Sequence, residues 1–202
     1  QDGWVGSAFG TSYYSWMWKR ARGYFDVVAY TGTGSATTVT HNLGAVPEMM
    51  WVKCRSESQD WVVYHKNNDS SAPEDYGNKL NSTTGRFDDA GFWNDTAPTS
   101  SVFTVGTSDK SNGSSKTYIA YLFASVTGIS KLGGYTGNGS SQTIDCGFSP
   151  KFILIKKAIN GNGNWRIFDT ERGIPAGNDP VLLLSSTDAE NTGADEIDTT
   201  SS

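Results

Sequence analysis

Two histidines, two cysteines and three methionines are all that this chain of 202 residues supplies for nucleophilic, metal-bound or redox chemistry. His41 and His65 form no His-x-x-x-His pair, and Cys54 and Cys146 form no Cys-x-x-Cys, so zinc has no ligand set. The Asn160–Asn164 run offers oxygen donors but lacks the carboxylates and closing Glu of a calcium loop. No metal and no cofactor is therefore expected. Charge is also scarce, at 18% of residues, and the net value of −5 argues against a nucleic-acid partner. No apolar run approaches the roughly 20 residues of a membrane-spanning helix, and no membrane partner is expected. Nor does any segment sustain an apolar stripe at helical spacing, which excludes the helical fold classes.

What the chain has in abundance is glycine, 23 residues, with Ser, Thr and Asn, the composition of a turn-rich all-β protein. It also repeats itself. Tyr30-Thr31-Gly32-Thr33-Gly34-Ser35 returns as Tyr135-Thr136-Gly137-Asn138-Gly139-Ser140, identical at five of six positions and 105 residues on (135 − 30). Pro47 answers to Pro150, Met49–Lys53 to Phe152–Lys156, and Trp61–Tyr64 to Trp165–Phe168. The offset moves between 103 and 105, as it does when insertions fall in turns. Trp16–Trp18 matches Tyr121–Phe123, so the chain opens on the end of a unit. The expected organisation is the end of a preceding repeat over 1–23, a complete β-sandwich repeat over 24–127, and a second repeat over 128–202. That second repeat lacks a counterpart to Val102–Phe123. With no initiator Met, this predicts a piece of something longer.

Strand signals fall on Phe25–Tyr30, Thr37–Thr40, Glu48–Arg55, Asp60–Lys66, Lys79–Thr83, Ser101–Gly106 and Thr117–Ser125, seven in the complete unit. That count and spacing predict tandem β-sandwich units of jelly-roll or immunoglobulin-like type, each about 105 residues. The Gly-x-Gly of Tyr30–Ser35 has no third glycine and opens no helix, so it is a tight turn needing φ > 0 and not a phosphate cradle. Cys54 and Cys146 sit at non-equivalent points of the repeat, which argues against a bridge. Trp61 and Trp165 recur at equivalent strand starts and are expected in the core.

Catalysis has little to stand on. Cys54, His65 and Asp60 flank one hairpin without a nucleophile turn, and Asp88-Asp89 reads more simply as a solvated turn than as a glycosidase pair. No enzymatic activity is expected. The long loop Gly85–Ser100 is different, because Phe92 and Trp93 have no aromatic counterpart in the second unit's Asp188–Ser202. Loop aromatics beside acids suit sugar recognition, with Phe92 and Trp93 as stacking platforms and Asp88 and Asp89 as hydroxyl acceptors. The competing reading is that both rings plug the loop onto the sandwich.

Several phrases resemble a repeated domain in virion proteins of marine tailed bacteriophages, described as tail-fibre-like or structural. They are Phe25–Gly34, His41–Met50, Trp61–Lys66, Asn94–Phe103 and Tyr118–Ala124, and the resemblance extends from about Trp16 to Asp198. It implies a virion location, in a tail or surface appendage. It also implies a non-enzymatic role in host attachment, with other virion proteins and copies of the same chain as partners, and a host-surface glycan or protein as a further one. A homo-oligomer, trimer first, is the implied assembly. The alternative is a secreted or cell-surface carbohydrate-binding β-module array.

Overall fold

A computed structural model describes residues 15–159, 161–174 and 177–199. The fold is all-β, built from several antiparallel sheets. Eight strands belong to the first unit: β1 (Phe25–Thr31), β2 (Thr37–Thr40), β3 (Met49–Cys54), β4 (Val62–His65), β5 (Tyr76–Lys79), β6 (Phe87–Asp88), β7 (Val102–Val105) and β8 (Thr117–Phe123). A six-stranded sheet runs β1-β8-β3-β4-β5-β6, and β2 pairs with β7 in a second, two-stranded sheet.

Alternation puts one face of each strand in the core. Met50, Val52 and Cys54 of β3 join Tyr118, Ala120 and Leu122 of β8, and Val62 and Tyr64 of β4. Val39 of β2 and Phe103 and Val105 of β7 close over them, giving a sandwich-like layer pair. Each fully buried aliphatic or aromatic chain contributes about 1.5–3 kcal/mol. The outer face of the same sheet carries a ring cluster in which Trp18 lies 6.2 Å from Trp51 and 6.1 Å from Phe123.

The Gly-x-Gly turn is held by Asn112, which is fully buried. Its Nδ2 donates to Ser35 O (2.7 Å) and Gly106 O (2.6 Å), while its Oδ1 accepts from Thr33 N (2.8 Å). Gly34 adopts φ +75°, as the turn requires, and a Cβ on Gly32 would stand 2.3 Å from Gly113 O. Gly139 repeats the positive φ, at +79°, but Tyr135–Ser140 is exposed and belongs to no strand.

The second unit supplies β9 (Phe152–Lys156), β10 (Trp165–Asp169) and β11 (Leu182–Leu183), in the order β11-β10-β9. Its register copies the first. Met49 faces His65 and Phe152 faces Asp169; Met50 faces Tyr64 and Ile153 faces Phe168; Val62 faces Lys79 and Arg166 faces Leu183. The turns after β5 and β11 also share their bonds. Leu80 N donates to Trp61 O and Leu184 N to Trp165 O, and Ser82 N donates to Lys79 O as Ser186 N does to Leu183 O. Thr84 N reaches Ser82 Oγ at 3.1 Å, and Asp188 N reaches Ser186 Oγ at 3.1 Å.

The second unit grips the first at that turn. Trp165 Nε1 donates to Lys79 O (2.9 Å), and Lys156 Nζ donates to Thr83 O (2.8 Å) and Ser82 O (3.3 Å). Gly163 N adds a bond to Thr83 O (2.8 Å), and Arg86 N donates to Ala158 O (2.7 Å). The backbones approach closely here: a Cβ on Gly85 would lie 2.8 Å from Ala158 O.

Three expectations need correcting. The strand expected over Lys79–Thr83 is Tyr76–Lys79, because Asn81 and Ser82 turn the chain after Lys79. Trp165 is buried in the joint, but Trp61 is only half-buried, lying against Tyr121. Trp16 and Trp18 lie outside any strand. Residues 1–14 of the preceding-repeat end expected over 1–23 lie outside the described residues.

Candidate functional site

The Gly85–Ser100 segment is built rather than loose. Phe87 and Asp88 pair with Gly77 and Tyr76, adding β6 to the edge of the large sheet. Asp89 then caps a single helical turn, α1 (Ala90–Trp93), by accepting from Gly91 N at 2.9 Å. Asn94 ends the turn at φ 53°, in the left-handed region that Asn tolerates. Gly106 N donates to Phe92 O (3.0 Å) and Ser108 N to Gly91 O (2.9 Å), tying the turn to the exit of β7.

This construction carries both rings inward. Phe92 is 0% exposed and Trp93 1%. Phe92 meets Phe87 edge-on at 5.4 Å and lies over Gly77, where a Cβ would come within 2.5 Å of the ring. Trp93 meets Tyr64 edge-on at 6.0 Å. Neither ring offers a face to a sugar, so the stacking platform expected at Phe92 and Trp93 is replaced by the plug. The apolar rings leave water because the capped turn points them at the sheet. Of the two acids, Asp88 is exposed, while Asp89 is partly covered and occupied as the cap.

An acidic rim surrounds this edge. Asp75 titrates above the usual carboxylate range, first through desolvation and then through Asp95, Asp88 and Asp69. Asp69 is held well below that range by the Ser71 backbone N–H and by Arg86, whose Nη1 lies 2.9 Å away. Among the described residues, no group of three or more His, Cys, Asp or Glu side chains is placed to hold a metal ion.

The suggested thiol site does not assemble. Cys54 closes β3 at the end opposite Met49, the residue that faces His65, and five strand residues span about 17 Å. Asp60 is committed to Lys79 (3.1 Å) and Asn81 Nδ2 (2.9 Å). Burial pushes the His65 imidazole down to about 4, with Lys66 adding to the shift and Glu48 opposing it. Both cysteines are free.

A second feature appears only in the structure. A shallow cleft of about 250 Å³ is lined by Tyr135, Ile155, Lys157, Arg166, Phe168 and Glu196. The repeat places the first five over Tyr30, Val52, Cys54, Val62 and Tyr64, positions around the first unit's core. Two of those positions have become cations, and Arg166 pairs with Glu196. The substitutions Cys54 to Lys157 and Val62 to Arg166 are the sequence signal that this face is wet in the second unit.

The family model described as a domain of unknown function, DUF7483, matches residues 18–202. The chain belongs to the DUF7483 family. The match takes in both copies of the β3-β4-β5 meander, the α1 plug and the joint between the units. No curated protein and no solved structure matches the chain. DUF7483 membership carries no activity with it.

Proposed function

We propose that this chain is a non-enzymatic structural protein of a tailed-phage virion, a tail-fibre or appendage component that takes part in host attachment. The observation that carries this reading is the phrase-level resemblance running from about Trp16 to Asp198. The duplicated meander supports it, since a spacer made of repeated β modules needs a unit that reproduces its own pairing and its own joint. In this reading the chain is organised as tandem sandwich units, 24–127 and 128–202, after the end of an earlier one. Its partners are other virion proteins and further copies of itself, trimer first. The low-charge, Ser/Thr/Asn-rich surface suits close packing between copies.

The carbohydrate-binding alternative loses its named platforms, because Phe92 and Trp93 are core residues. Host contact, where it occurs, belongs to surfaces repeated along the assembly, where many weak contacts add up. The test is peptide mass spectrometry and immunogold labelling of purified particles from the lysate in which the chain is made. Stoichiometric recovery and labelling on an appendage are expected. Recovery only from the soluble, particle-free fraction would contradict the proposal.

A further inference from the structure

Both halves of the joint between the units occur twice in the sequence, and among the described residues each makes its cross-unit bonds once. The receiving half is the turn after β5, whose Lys79, Ser82 and Thr83 carbonyls accept from Trp165 and Lys156. The turn after β11 is its copy in sequence and bonding. Leu80-Asn81-Ser82-Thr83 reads Leu184-Ser185-Ser186-Thr187. The Leu amide, the Ser amide and the Ser Oγ make matching bonds in both turns. The Ser186 and Thr187 carbonyls accept no hydrogen bond from any described residue, and Thr187 is exposed.

The gripping half is likewise doubled. Lys156 Nζ holds its own hairpin loop through Gly163 O and has protons left for the neighbouring turn. Lys53, its counterpart, holds its loop through Gln59 O at 2.7 Å. No described group beyond that loop accepts its remaining protons. Trp165 is buried against the turn it grips, while Trp61 is half-buried and its indole N–H meets no described acceptor. Among the described residues, the Lys53–Trp61 grip of the first unit and the Leu-x-Ser-Thr turn of the second therefore have no partner across a joint.

We propose that the Lys53–Trp61 face of one copy takes the Leu183–Thr187 turn of the next, repeating between copies the joint that links the two units within a chain. The ligand is a β-turn presenting three carbonyls, and its source is a second copy of this chain. Such an interface is heterologous, so it propagates head-to-tail unless its rotation closes a ring. This deepens the appendage reading and rests on it for its purpose, though the geometry stands without it. One difference sets the strength. Ala189 occupies the place of Gly85, where a Cβ would stand 2.8 Å from a facing carbonyl. The joint between copies therefore lacks the closest approach seen within the chain, and the association is weak.

The experiment is sedimentation velocity on the full chain over about three decades of concentration, up to about 1 mM, where contacts of a few kcal/mol become visible. The weight-average mass should rise with concentration. Trp61→Phe keeps the packing on Tyr121 but removes the N–H, and should lower the association constant about three- to tenfold, the worth of one hydrogen bond. Ala189→Gly, at an exposed position, should raise it several-fold. Melting curves establish that both variants are folded. A monomer at every concentration, or association that neither variant alters, would overturn the joint between copies. Either result leaves the particle-labelling test of the virion reading untouched, so the two fail separately.

Discussion

Replacing Phe92 with alanine measures directly whether the Gly85–Ser100 segment is a plug. The ring is fully buried, meets Phe87 at 5.4 Å, covers Gly77 and has Lys110 Nζ at 6.0 Å from its centroid. Removing a buried phenylalanine costs about 3–5 kcal/mol in lost transfer energy and unfilled space. The α1 turn is pinned by backbone bonds to Gly106 and Ser108, so it has little freedom to collapse into the hole. We expect a loss near the middle of that range, about 4 kcal/mol. With a urea slope of about 2 kcal/mol/M, the midpoint of the first unit's transition should fall by about 2 M. Asp88→Ala, at an exposed position on the same segment, is the matched control and should change stability by less than about 0.5 kcal/mol. A Phe92→Ala loss below about 1 kcal/mol, the size of a surface change, would refute the reasoning.

Asn112→Ala strips three bonds from the clasp on the Gly-x-Gly turn and strands the buried Gly106 O, while Ser35 O keeps Thr33 Oγ1 as a donor and Thr33 N lies on an exposed residue. With one buried carbonyl left unpaired and two exposed bonds lost, calorimetry should show a loss of about 2 kcal/mol. Gly32→Ala drives a methyl into Gly113 O and should cost about 1–3 kcal/mol. Its repeat partner Gly137 faces open space, so Gly137→Ala should be nearly neutral in the same melt; equal effects would contradict the difference between the two turns. The neutral His65 ring is favoured by the fold, because its folded value near 4 lies below the ordinary 6.5. Its contribution is complete above about pH 6.5 and is lost as the pH falls through about 4. The shift alone amounts to about 3 kcal/mol, reduced to about 1–2 by the ring's partial exposure. Denaturation at pH 7 and pH 4 should therefore show a shallower fall for His65→Gln than for the parent chain; identical falls would contradict it.

The repeat, and with it the β3-β4 hairpin, was legible because apolar runs and their punctuating prolines and tryptophans recur with only turn-length drift, whereas β5 lies earlier than the sequence suggests. The duplicated pairing of Met49 with His65 and Phe152 with Asp169 follows from that one alignment. The direction of Phe92 and Trp93 was not legible. Two aromatics after Asp-Asp-Ala-Gly read equally as a surface platform or a plug. The choice is made by Asp89 capping a turn whose carbonyls are claimed by Gly106 and Ser108. Trp61 misled for a related reason. It recurs with Trp165 at an equivalent strand start, but Trp165 is buried where its indole N–H meets the Lys79 carbonyl of the neighbouring unit's turn. Periodicity reports which face a residue occupies, whereas coverage of that face depends on what docks there. The cleft in the second unit shows the same limit, with Lys157 and Arg166 at positions that are core in the first.

The proposed role is that of a repeated module in a virion appendage. A density map of the intact assembly tests it most directly, at a resolution sufficient to recognise a six-stranded sheet. The module is expected on an appendage, repeating along it, with the Trp165 joint visible between successive units. A map in which every appendage is accounted for by other chains would contradict it.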